Sequence, residues 1–104
     1  MKETEKRLRQ WLADPANIHA SRPALFPESD FPDVVLRQPF VTRNGYEISI
    51  QQGASHYCNV DQVEMWYCPH LPMLDEYGTG EDPYGWVPVS VAADYIEALE
   101  GESK

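Results

Sequence analysis

The stretch YEISIQQGASHYCNVDQVEMWYCPH, residues 46–70, decides the fold. Its first part alternates Tyr46, Ile48 and Ile50 with Glu47, Ser49 and Gln51, the period of a half-buried strand. Gly53-Ala54-Ser55 interrupts that pattern where a bulge or bend belongs. Asn59-Val60-Asp61-Gln62 then supplies a turn, and Val63 to Cys68, VEMWYC, reads as the returning strand. Upstream, Asn44-Gly45 between apolar residues is a hairpin signal that joins Phe40-Val41-Thr42 to the strand beginning at Tyr46. The expectation is a small antiparallel sheet of about three strands between Phe40 and Cys68.

The same stretch carries both cysteines and two of the three histidines. His56-Tyr57-Cys58 and Cys68-Pro69-His70 are mirror images, HxC and CxH. If the two strands pair antiparallel about Val63, position 56 faces 70 and position 58 faces 68, and all four side chains share one face. Thiolates and neutral imidazoles so placed could close a tetrahedral zinc site with His56, Cys58, Cys68 and His70 as ligands. Ligands one residue apart on a strand differ from the usual two-residue gap, so zinc is the alternative reading and no cofactor is the primary one. Buried cysteines also act as small hydrophobes, and histidines beside tyrosines hydrogen-bond to backbone. A Cys58–Cys68 bridge is geometrically allowed but disfavoured in a reducing compartment. A Cys/His nucleophile lacks an orienting carboxylate or an oxyanion-hole signature at a recognisable spacing, so no enzyme is expected.

Charge narrows the function further. The 104 residues contain 17 acids against 8 lysines and arginines, a net of -9. Residues 1–43 hold seven bases and six acids, whereas residues 44–104 hold eleven acids and Lys104 alone. Direct binding to a phosphate backbone needs clustered bases, and the second part repels one. It attracts a basic protein surface instead, including the nucleic-acid groove of another protein.

Outside the sheet, KETEKRLRQWLA at residues 2–13 places Thr4, Leu8, Trp11 and Leu12 at helical spacing, and Asp14-Pro15 ends the helix. Five prolines between Pro15 and Pro39 describe an arm that is partly extended and pinned by Ala24, Leu25, Phe26 and Phe31. Asp33 to Gln38, DVVLRQ, fits a short strand or a turn of helix equally well. Asp75 to Pro83 reads as a solvated loop; it lacks the alternation of a calcium loop, and Gly78-Thr79-Gly80 is too short to cradle phosphate. Tyr84 to Pro88 leads into a closing helix in which Val91, Ala92, Tyr95, Ile96 and Leu99 form the apolar stripe and Gly101 the stop. Its other face carries Ser90, Asp94 and Glu97, with Glu100 to one side.

The combination of Ile48-Ser49-Ile50-Gln51, His56-Tyr57-Cys58, Val63-Glu64 and Tyr84-Gly85-Trp86-Val87-Pro88 resembles small bacteriophage and prophage proteins of unassigned function. In those the pieces look like IQAS, HYC and YGYVP. The resemblance covers roughly residues 46–101 and implies phage origin and a compact α+β unit, with no chemistry to carry over.

The sequence therefore predicts one α+β domain, a helix plus proline-rich arm over residues 1–43 and an acidic sheet-and-helix core over 44–104. No apolar run approaches the roughly 20 residues of a membrane span, and the charged N-terminus lacks a signal-peptide core, so a cytoplasmic location is expected. The expected function is a non-enzymatic protein-binding module. Its acidic face comprises Asp75, Glu76, Glu81, Asp82, Asp94, Glu97 and Glu100, and it takes the form of an inhibitor that occupies the basic nucleic-acid-binding surface of a host protein.

Overall fold

A computed structural model describes residues 2–23, 33–53, 61–78 and 83–101. The elements run α1 (Glu3–Ala13), β1 (Ile18–Pro23), β2 (Asp33–Arg37), β3 (Phe40–Val41), β4 (Glu47–Gln51), β5 (Gln62–Trp66), β6 (Tyr84–Pro88) and α2 (Val89–Glu100), with short 3-10 turns at Pro15–Asn17 and Pro72–Tyr77. The architecture is α+β, as the sequence predicts. No described helix is long and apolar enough to cross a membrane.

Helix α1 begins with Glu3 and Glu5, which suit the positive end of the helix dipole, and Arg9 pairs back to Glu5 at 3.0 Å one turn away. It ends at Ala13 because Asp14, preceding Pro15, is extended; the Asp14 carboxylate then accepts from the Ala16 N–H at 2.9 Å. Leu8 and Leu12 face inward, and Trp11 meets the Phe40 ring edge-on at 5.2 Å.

Four strands form an antiparallel meander in the order β3-β4-β5-β6. The Asn44-Gly45 hairpin forms where expected, with Val41 opposite Glu47, Phe40 opposite Ile48, and Gly45 at φ 91°. Thr42 holds the turn, since its hydroxyl accepts from the Tyr46 N–H at 2.9 Å and donates to Asn44 Oδ1 at 2.7 Å. Asn44 Nδ2 in turn donates to the Leu99 carbonyl at 2.8 Å, satisfying an acceptor in the last turn of α2.

Ile48 and Ile50 on β4, Val63 and Met65 on β5, and Val87 on β6 are all fully buried, and α1 and α2 cover that face through Leu8, Tyr95, Ile96 and Leu99. Both helices lie on one side of the sheet.

Two expectations are corrected and one left open is settled. First, Tyr84 to Pro88 is a strand rather than the run-in to the helix: β6 pairs with β5 through Val63–Val87 and Met65–Tyr84, and Pro88, extended at ψ 141°, sits just before the first helical turn. The sheet thus has four strands and extends to Pro88, because β6 supplies Val87 to the core. Second, the DVVLR of that segment is strand β2, paired with β1 in a separate two-stranded unit drawn from the proline-rich arm. Pro39, which has no N–H, stands between β2 and β3 and ends the run, while the buried Gln51 ties β2 to β4 by accepting from the Arg37 N–H at 2.8 Å and donating to the Arg37 carbonyl at 3.1 Å. Third, β4 and β5 pair as Ser49–Trp66, Ile50–Met65 and Gln51–Glu64. The returning strand therefore ends at Trp66 rather than at Cys68, and position 58 lies outside the described residues. Burying Ile50 against Met65 decides the register, since a one-residue slip would turn every core side chain outward. Ala24, Leu25, Phe26, Phe31 and the Asn59-Val60 half of the second turn lie outside the described residues.

Candidate functional site

The helix layer is where most of the chain's bases go. Lys2 Nζ reaches Asp94 Oδ1 at 3.0 Å, Arg7 Nη2 reaches Glu100 Oε2 at 2.6 Å, Arg9 bridges Glu5 and Asp61, and Arg43 lies 3.7 Å from Glu3. Four of the seven bases of residues 2–43, Lys2, Arg7, Arg9 and Arg43, fold back on acids of the same protein. The hydrogen bond and the charge of Asp94, helped by Glu97, hold the Lys2 ammonium above its ordinary range.

The acids predicted as one face separate into different roles. Asp94 and Glu97 are exposed on α2, Asp94 with Lys2 and Glu97 without an ion pair among the described residues. Glu100 is not a surface charge. Its carboxylate is only 12% exposed and also accepts from the Arg43 N–H at 2.7 Å, so it clamps α1 and the β3–β4 turn to the end of α2. Asp75 and Glu76 are exposed on the Pro72–Tyr77 turn, and Asp75 Oδ1 lies 2.6 Å from His70 Nε2. Glu81 and Asp82 lie outside the described residues.

Of the four suggested zinc ligands, His56 and Cys58 also lie outside the described residues, so their relation to Cys68 and His70 is not placed. Cys68 is half-buried; burial pushes its thiol up, and a hydrogen bond with the Tyr95 hydroxyl offsets this in part. A thiol so held favours its neutral form over the thiolate. The Tyr95 hydroxyl also donates to the Pro69 carbonyl, anchoring this segment to α2. Among the described residues no group of three or more His, Cys, Asp or Glu side chains is placed to hold a metal.

The sheet face turned away from the helices carries a feature that the sequence reading missed. Glu47, Ser49, Glu64, Trp66 and Trp86 alternate with the buried residues and so point outward. Trp66 is 37% exposed, Trp86 53%, and Tyr67, just after β5, 71%. Tyr67 and Trp86 have φ of 52° and 53°, and among the described residues they alone hold a positive φ without being glycine. For a bulky residue that conformation costs on the order of 1–3 kcal/mol.

Each strained residue redirects a ring. Tyr67 follows Trp66 and in a regular strand would point to the opposite face; instead the two rings stack, 4.5 Å apart and 15° from parallel. Trp86 sits in a β-bulge, where Gly85 and Trp86 together oppose Glu64. Comparison with family models, curated proteins and solved structures gives no match. The signal for this face was the two-residue period that sets Trp66 and Glu64 against Val63 and Met65; the contribution of Trp86 was hidden because β6 was not read as a strand.

Proposed function

We propose that the protein is a non-enzymatic acidic binding module that occupies a basic surface of a partner protein, in the manner of a phage- or prophage-encoded inhibitor that competes with nucleic acid for a host protein's groove. The division of charge carries this reading. Lys2, Arg7, Arg9 and Arg43 are engaged by Asp94, Glu100, Glu5, Asp61 and Glu3, while the strands β3, β4, β5 and β6 and the Pro72–Tyr77 turn themselves contain four acids, Glu47, Glu64, Asp75 and Glu76, and no lysine or arginine. Such a surface lowers the energy of a basic partner at long range and raises that of a phosphate backbone.

The test is retention of bacterial lysate proteins on the immobilised chain, with salt raised from about 0.1 M to about 0.5 M, where screening shortens the reach of exposed charges to a few ångströms. The expected result is retention of basic nucleic-acid-binding proteins that duplex DNA displaces and that Glu76→Lys with Glu97→Lys abolishes. Retention indifferent to salt and to both reversals, or none at low salt, would count against the reading.

A further inference from the structure

We infer that the outer face of the β5–β6 pair is an arginine-stacking platform that takes an extended basic segment of the partner. This rests on the reading of the protein as one that docks on a basic surface, and it names where and how. The helices cover the other face of the sheet, and the outer face presents Trp66, Tyr67 and Trp86 to solvent. Two of these three rings are carried by positive-φ backbone that glycine would adopt without strain.

The charges beside the rings select the ligand. Glu64 lies two residues from Trp66 on β5 and directly across from Gly85-Trp86, and Glu47 shares the outward side of β4. A guanidinium is planar and weakly hydrated, so it can stack on an indole face while its edge donates two parallel hydrogen bonds to a carboxylate. An ammonium has no plane to stack and is more costly to strip of water. Nucleobases also stack on aromatic side chains, but such sites neutralise the phosphates with lysine and arginine, and the strands β3, β4, β5 and β6 themselves contain neither. Aromatic rings interleaved with carboxylates and no bases thus favour arginine over lysine and over single-stranded nucleic acid.

The experiment uses the full chain and three labelled probes: an extended hexapeptide with arginine at alternate positions, its lysine counterpart, and a single-stranded oligonucleotide. Binding is followed by fluorescence anisotropy and by the NMR shifts of the tryptophan indole N–H groups. The arginine peptide is expected to bind several-fold more tightly than the lysine peptide and to move the Trp66 and Trp86 signals while leaving Trp11 still. Trp86→Gly and Tyr67→Gly each remove a ring while suiting the positive φ, so these variants are expected to keep or raise Tm yet lose affinity by about tenfold.

Equal binding of the two peptides, preference for the oligonucleotide, or undiminished arginine binding by both glycine variants overturns the platform. If Trp86→Gly leaves lysate retention intact while Glu76→Lys with Glu97→Lys abolishes it, the platform fails and the acidic binding module stands. Loss of retention in both sets supports the two together.

Discussion

Glu100→Ala is expected to be among the most damaging changes of a carboxylate in this chain, although by sequence Glu100 belongs to the same acidic helix as Glu97. The Glu100 carboxylate accepts a charged hydrogen bond from Arg7 at 2.6 Å and a second from the Arg43 N–H at 2.7 Å. Arg7 is itself committed: its guanidinium lies over the Phe40 ring at 5.7 Å, and its Nη1 is buried without a hydrogen-bond partner among the described residues. Removing Glu100 strands that cation between α1 and the sheet.

Hydrogen bonds to charged groups contribute roughly 1.5–3 kcal/mol each, and breaking a fully buried ion pair costs about 3–5 kcal/mol. The pair is 26% and 12% exposed, so solvent screens part of it and about 2–3 kcal/mol is a fair expectation. For a domain of this size that is a fall in Tm of roughly 10–15 °C. Urea and thermal unfolding followed by circular dichroism measure it, with Glu97→Ala as the control expected within about 0.5 kcal/mol of wild type. Arg7→Ala and the Arg7→Ala/Glu100→Ala pair complete a cycle whose coupling isolates the ion pair. Should Glu100→Ala cost no more than Glu97→Ala, the clamp between α1 and α2 does not exist as described.

Alkaline pH should weaken the fold. The Cys68 thiol and Tyr84 phenol both sit above their ordinary values of 9.0 and 10.0, chiefly because burial disfavours the anions, so the unfolded chain releases these protons first. Their contribution is complete below about pH 9 and is lost as pH rises through the raised folded values; urea unfolding from about pH 7 to about pH 10.5 should show the decline, and Cys68→Ala with Tyr84→Phe should flatten it. An unchanged wild-type curve over that range would remove the link. Protein purified without a histidine tag is expected to carry less than about a tenth of an equivalent of zinc by elemental analysis; a stoichiometric amount would instead restore His56, Cys58, Cys68 and His70 as a ligand set.

The sequence was most readable where one period or one residue settled the local energy. Leu8, Trp11 and Leu12 marked the inner side of α1 because helical spacing put them on one stripe, and Asp14-Pro15 stopped it through proline's clash with its predecessor. Asn44-Gly45 marked its hairpin because the turn needs a positive φ, which Gly45 supplies. Val87 was the harder case. The strand YGWVP is five residues long and contains a bulge, so its alternation is too brief to read and only its partner Val63 identifies it. Asp94, Glu97 and Glu100 were equally acidic in sequence, yet Glu100 is nearly buried because Arg7, far away in the chain, comes to lie beside it.

By itself, then, the sequence determined the α+β class, both helices, the β3–β4 hairpin and an acid excess of nine charges, since each follows from periodicity, turn chemistry or composition over a few neighbouring residues. Register, the fourth strand and the use of each charge were decided only by tertiary structure. Those depend on which apolar side chains bury one another across the sheet, as Ile50 and Met65 do, and on which acids the N-terminal bases reach. The same packing sets Glu64 and Trp66 on the outward side of β5, in the second half of the opening stretch.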